Sequence, residues 1–454
     1  MELQPISNET RLSLSVTPGE ASDRGLNVDV NNNRETHDSD SQVASRSRSG
    51  NASRVRARVH LAAMFLSMFL GASSGPLIPR MQKVYNVSFL VVSLTFVLSC
   101  IGFISGAIMN VHWTDKLGFG RMIVLGALLQ IVGYSIQAPA PPFPLFVISF
   151  IFNGFGIAIQ NAQANAYVAS LKHNSELYMG MLHASYGAGA LSSPLAATQF
   201  AQLQHWSFHY LVSLGLALSN TIVLTLTFRG RTQDECMALV GEEAPSGETS
   251  TSDRSNFRQI LSLKSVHVMA LFILVYVGVE VTIGGWITTY IIDVRGGGPS
   301  AGYISSGFFG GLMVGRVALL WLNKLVRRAL EPYVGERRVL YIYAVLAIGM
   351  EFVVWFVPSL IGGAVAVSLV GLVLGPIYPI VMNQAGRVVP RWLLSGSIGW
   401  IAGFGQAGSA LLPFMTGAIA SKTGIKALQP LLISMMAMFP ILWALVPSSP
   451  RRID

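Results

Sequence analysis

YVGVEVTIGGW, residues Tyr276 to Trp286, lies within an apolar run from about Val266 to Ile292 that carries Glu280 near its middle. A run of this length without other charges predicts a membrane-spanning helix, since ~20 apolar residues cross the hydrocarbon core of a bilayer. A carboxylate at that depth costs ~2.5–3.5 kcal/mol on insertion scales, so it needs either a function or a partner. Tyr276 and Gly284 sit one helical turn either side of Glu280, which gives one face an acid, a phenol and a small residue that admits close approach. Glu280 is therefore expected to hold a coupling ion or a solute. The plainer alternative is a structural hydrogen bond to a neighbouring helix.

The rest of the 454-residue chain fits a bilayer, with 52% hydrophobic and only 12% charged residues, against ~25% charged in soluble domains. Cys100 and Cys236 are too few and too far apart for a metal site or a disulfide framework. The net charge of +9 is spread over short segments between apolar runs. That pattern suits a lipid surface as partner and argues against nucleic acid. No phosphate-binding loop of the Gly-x4-Gly-Lys-Ser/Thr type occurs, no cofactor is implied, and no constellation points to an enzyme.

Residues 1–57 are rich in Ser, Asn, Asp, Glu and Arg and are expected to form a disordered cytosolic tail. Six apolar runs follow within 58–228, at about 59–78, 89–111, 122–137, 143–170, 178–201 and 210–228. A polar cytosolic linker, 229–264, separates them from six more within 265–446, at about 266–292, 301–322, 339–357, 361–388, 394–420 and 428–446, and 447–454 form a short tail. With the N terminus inside, Lys and Arg concentrate in the inside segments, while the outside ones hold only Arg80, Lys83, Arg295, Lys422 and Lys426. The bias supports both termini in the cytosol and an even number of spans.

The two sets of six look duplicated. Asp115-Lys116-Leu117 follows the second run and Asn323-Lys324-Leu325 the eighth, and the Gly189 to Pro194 spacing in the fifth run recurs as Gly408 to Pro413 in the eleventh. Duplicated bundles with Gly- and Pro-interrupted spans suit alternating access about a midplane site.

VHWTDKLGFGR, Val111 to Arg121, resembles the loop between the second and third spans of the major facilitator superfamily, with Val111 standing where that family usually has Gly. Asp115, Lys116 and Arg121 match its acid and bases, and the resemblance implies that they pair across the halves and hold one conformer shut. Together with LHASYGAGALSSPL (Leu182 to Leu195) and GGLMVGR (Gly310 to Arg316), YVGVEVTIGGW is similar to a fungal branch akin to fucose:proton symporters and sodium-dependent glucose transporter-like proteins. The resemblance covers about Val59 to Val446 and implies an all-α integral membrane fold, with twelve transmembrane helices in two six-helix bundles. The implied activity is secondary transport of a sugar or similar polar solute. Bacterial fucose symporters carry acids in their first and fourth spans; this chain has none there, so Glu280 would serve instead, or the protein would be a uniporter.

Candidate solute ligands are polar or aromatic groups in apolar runs. QNAQANAY supplies Gln160, Asn161 and Asn165, and the tenth run supplies Tyr378, Asn383 and Gln384. Amides donate and accept, which suits hydroxyl-rich solutes, although they also bond helix to helix. His183 and Tyr186 share a face of the fifth span. Trp286 and Trp400 could stack on a sugar ring or anchor at the interface. Arg316, about two turns inside the cytosolic end of the eighth run, is expected to gate or to pair with an acid across the bundle. Glu351, the other mid-span acid, is expected to be structural.

The function expected is a proton-coupled symporter working as a monomer, with sodium as the alternative ion and the plasma membrane favoured over a vacuolar or endosomal one. A proton-driven efflux antiporter and a non-transporting nutrient sensor are the rivals. Against the antiporter, Pro194 is followed by Leu-Ala-Ala rather than by paired glycines.

Overall fold

Every apolar run carries a helix. The computed structural model describes residues 53–68, 77–171, 175–242, 253–319 and 336–447, and among these there is no strand. The N-terminal half contains α1 (53–68), the outer-end helices α2 (Ile78–Tyr85) and α3 (Phe89–Val92), then α4 (Leu94–Leu117), α5 (Phe119–Gln137), α6 (Phe143–Ala169), α7 (Ser175–Ala201) and α8 (His209–Phe228). The linker forms α9 (Gln233–Val240) and α10 (Asp253–Ser262). The C-terminal half contains α11 (Lys264–Arg295), α12 (Tyr303–Val314), α13 (Glu336–Phe356), α14 (Leu360–Leu374), α15 (Ile377–Val388), α16 (Arg391–Thr423) and α17 (Leu428–Leu445). Eight spans among the described residues are long and apolar enough to cross a membrane. The other four of the twelve runs carry α1, α7, α12 and α16.

Two of the C-terminal runs are interrupted. The tenth breaks at Gly375-Pro376, between α14 and α15, because proline lacks the N–H that would continue the ladder. The eighth passes from α12 into a π-helical turn, Gly315–Leu319. The two interruptions meet: a Cβ on Gly375 would lie 2.6 Å from the carbonyl oxygen of Leu312 and 2.7 Å from the backbone nitrogen of Arg316, so only glycine allows the crossing. The repeat segment Asn323-Lys324-Leu325 lies outside the described residues.

The halves meet along two seams, α7 against α12 and α3–α4 against α16. At the end away from the linker both seams are closed. Leu90 N–H donates to Ser421 Oγ at 2.7 Å, Gln199 bonds Tyr303, and the Trp286 ring lies 5.9 Å from Phe89 and 6.2 Å from Phe96. Toward the linker end both open. Cys100 donates to the Gln406 carbonyl at 3.5 Å, but Ile104, Ile108 and Val111, which continue the same stripe of α4, are exposed. On α16 no atom would meet a Cβ at Gly403 or Gly399. On α7, Gly187 packs against Met313, whereas Gly180 has open space and Leu177 is exposed. The Lys and Arg bias predicts a cytosolic linker, and with that orientation the open ends would face the cytosol.

The linker is not a bare tether. Thr232 and Glu235 form a reciprocal capping box that starts α9. Gly120 N–H donates to the Arg231 carbonyl at 2.8 Å and Gln233 Nε2 to Ser170 Oγ at 2.9 Å. Cys236 and Met237 are buried against Phe119, Tyr167 and Phe228 at the inner end of the N-terminal half. Burial pushes the Cys236 thiol up to about 11, with Glu235 adding to the effect and Arg231 opposing it.

Candidate functional site

Glu280 projects from α11, the most enclosed helix of the C-terminal half, which packs against α12, α15, α16 and α17. Its partner is Arg316 in the π turn after α12. Arg316 Nη2 donates to Glu280 Oε2 at 3.2 Å and to Oε1 at 3.4 Å, with side-chain exposures of 17% for Arg316 and 11% for Glu280. One nitrogen straddling two oxygens at these lengths is looser than the two-nitrogen fork, with its ~2.7–2.9 Å bonds, that arginine makes with a fully committed carboxylate. Arg316 Nε is buried without a partner among the described residues.

Aromatic hydroxyls surround the pair. Tyr276, one turn before Glu280, donates to the Leu374 carbonyl at 3.1 Å, one of the orphan acceptors where α14 ends. The Tyr276 and Tyr378 rings are 6.2 Å apart. Across the seam, Gly187 of α7 packs against Met313, one turn before Arg316, which sets the His183–Tyr186 stretch of α7 beside the pair. These six residues, Tyr186 and His183 from one half and Tyr276, Glu280, Arg316 and Tyr378 from the other, form the candidate site.

The remaining sequence candidates fall elsewhere. Trp286 is fully buried and donates to the Pro413 carbonyl at 3.0 Å, between Phe89 and Phe96 at the closed outer end. Trp400 stacks edge-on with His267 at 6.0 Å, and His267 precedes Glu280 on α11 by about 20 Å of helix. Gln384 donates to the Pro447 carbonyl at 2.7 Å and Asn383 is exposed, both at the inner end of α15. Asn165 bonds Asn161 within its own helix, 2.6 Å to Oδ1 and 2.8 Å to the carbonyl.

Gln160 belongs to a network that the sequence did not reveal. Its Oε1 accepts from Ser67 Oγ at 2.5 Å and from Asn220 Nδ2 at 2.9 Å, and its Nε2 donates to Gln130 Oε1 at 2.7 Å. It thereby ties α1, α5, α6 and α8 together. Gln163 likewise donates to Asn110 at 2.7 Å and Thr114 at 2.8 Å on α4. Asp115, Lys116 and Arg121 are exposed around the Gly118 turn, whose described neighbours are linker residues 230–232; among the described residues Asp115 has no ion pair.

Glu351 is 1% exposed in α13, and neither of its oxygens has a partner among the described residues. Its neighbour Gln429 at the start of α17 is in the same condition.

Two sets of membrane-crossing helices that meet along seams closed at one end and open at the other form the architecture of a membrane transporter. The match to the family model described as Major Facilitator Superfamily, over residues 61–413, shows that the chain belongs to that family. It is 26% identical over 397 residues to Bypass of stop codon protein 6 of Saccharomyces cerevisiae, covering 82% of this chain and 78% of that one. It is 20% identical to the glucose/mannose transporter GlcP of Bacillus subtilis, covering 76% of this chain and 83% of that one. Among solved structures, a D-xylose-proton symporter superposes with a TM-score of 0.66 at 12% identity, covering 87% of this chain and 98% of that one.

Proposed function

We propose that the protein is a proton-coupled symporter that carries a sugar-like polar solute through the cavity between its halves. The observation that carries this reading is the Glu280–Arg316 pair, largely buried beside the seam where Gly187 of the opposite half packs against Met313. A carboxylate held by a single, long ion pair is a group whose protonation changes the local charge balance, which is what coupling to a proton gradient requires. The similarity to a glucose/mannose transporter supports a sugar-like solute. His183, Tyr186 and Tyr378 would bind its hydroxyls, with Tyr276 setting the position of Glu280. Asp115, Lys116 and Arg121 would act as inner-end gate residues, closing the cytosolic side when the halves rock together.

The test is uptake of a panel of labelled sugars, polyols and sugar acids into proteoliposomes, with and without an imposed inward proton gradient. Wild type is expected to concentrate solute only with the gradient. Glu280→Gln is expected to lose concentrative uptake while keeping counterflow exchange. Flux that ignores both the gradient and the substitution would make the protein a uniporter with a structural glutamate.

A further inference from the structure

The charge balance around Glu280 restricts what can travel with the proton. Among the described residues, Glu280 and Arg316 are the charged members of the site; the other titratable groups near them are Tyr276 on α11, Tyr378 on α15, and His183 and Tyr186 on α7. The parts of α16 and α17 packed against this stretch of α11 bring glycine and apolar side chains such as Gly408, Leu412 and Phe439. The resting pair is neutral. When a proton adds to a Glu280 oxygen, the carboxylate becomes a neutral acid and Arg316 keeps its charge, because guanidinium does not deprotonate in proteins. The loaded site then holds one uncompensated cation in a low-dielectric interior, which is the costly outcome of breaking a buried ion pair.

A neutral sugar leaves that charge in place. A solute bearing one carboxylate cancels it. The geometry of Arg316 is suited to such a guest: among the described residues Glu280 engages Nη2 alone and Nε has no partner, so a carboxylate that takes the place of Glu280 can meet the guanidinium in fork geometry. The tyrosines and His183 around it are neutral hydroxyl and imidazole groups suited to the hydroxyls of the same molecule.

We propose that the co-transported solute is a monocarboxylate of the sugar-acid class, whose carboxylate displaces Glu280 from Arg316 as Glu280 takes up the proton. This inference rests on the symport reading and sharpens it. One proton and one anion enter together, the site is neutral both empty and fully loaded, and the transport step moves no net charge. Proton and solute also bind cooperatively, each removing the other's electrostatic penalty.

The test uses full-length protein in proteoliposomes, with labelled D-glucuronate and D-gluconate compared with D-glucose under an inward proton gradient, at zero and at imposed membrane potential. The sugar acid is expected to accumulate to an extent that the potential does not change, and D-glucose is not. Glu280→Gln, which mimics the protonated acid, is expected to bind D-glucuronate about tenfold more tightly, read by tryptophan quenching, and to lose gradient-driven uptake. Arg316→Gln should lose the binding, and the Glu280→Gln, Arg316→Gln double variant, which restores neutrality, controls for folding. Concentrative, potential-sensitive uptake of D-glucose with no competition from D-glucuronate would overturn the inference and leave symport standing. Sugar-acid flux that ignores the proton gradient would overturn symport and the inference together, since no proton would then accompany the anion.

Discussion

The two halves of the molecule use polarity in opposite ways. In the N-terminal half a set of buried amides and hydroxyls bonds across α1, α4, α5, α6 and α8, with Gln160 at the centre of one network and Gln163 of another. In the C-terminal half the principal buried polar feature is an ion pair, placed where a π turn crosses the Gly375-Pro376 break. A network of neutral groups that satisfy one another has little response to protons or anions and holds its helices in one arrangement. An ion pair next to interrupted helices can change charge, and the local backbone is already freed from a regular ladder. The Gln160 and Gln163 networks are accordingly expected to hold their helices rigidly, and the ion pair to respond to charge.

That contrast can be broken at the ion pair first. Arg316→Ala leaves Glu280 buried without its counter-charge and is expected to cost about 3–5 kcal/mol, whereas pairing it with Glu280→Gln should recover much of the loss. Thermal unfolding of the single and double variants in detergent reads the difference, and equal losses would remove the pair as the source of stability. Next in size is Gly315→Val, which would collide with the α14 backbone at Leu372 and is expected to cost about 1–3 kcal/mol, with a lower uptake rate. Gln160→Leu should cost roughly 2 kcal/mol, three interhelical bonds at ~0.6 kcal/mol each, and leave proton coupling intact. A changed coupling ratio in that variant would contradict the passive role assigned to the N-terminal network.

Smaller effects sharpen the boundary between the halves. Glu351→Gln is expected to change the melting temperature little, since an amide at this buried position can exchange hydrogen bonds with Gln429 without carrying a charge. A loss comparable to that of Arg316→Ala would mean that the C-terminal half depends on a second charged group. The least expected effect is at Cys236. Its thiol is pushed up to about 11, so the thiolate is scarce at neutral pH and rises with pH toward that value. Alkylation followed by peptide mass analysis should be far slower in the folded protein than in denatured chain, and faster as pH increases.

Much of this was legible in the sequence. The apolar runs mark the helices, and Glu280 and Arg316 stand out because charge in such runs must be paired or used. Their pairing was not legible, because it joins residues in different spans through a π turn that no local spacing announces. The amides of QNAQANAY are visible as polar residues in an apolar helix, but periodicity cannot tell whether a side chain faces the transport cavity or the bundle interior. Gln160 faces three other helices of its own half. Trp400 and Gln384 illustrate the same limit along the helix axis, since their neighbours, His267 and Pro447, lie at the inner end.

Trp286 sits where the outer seam must part if the cavity is to face the other side. Its N–H is anchored to Pro413 of its own half, while Phe89 and Phe96, which cover its ring, belong to the opposite half. Outward opening therefore strips the aromatic cover from the indole without releasing its hydrogen bond. The chain carries its own optical reporter: inward-facing protein should emit from a dry Trp286, and the outward-facing form from a hydrated, red-shifted one.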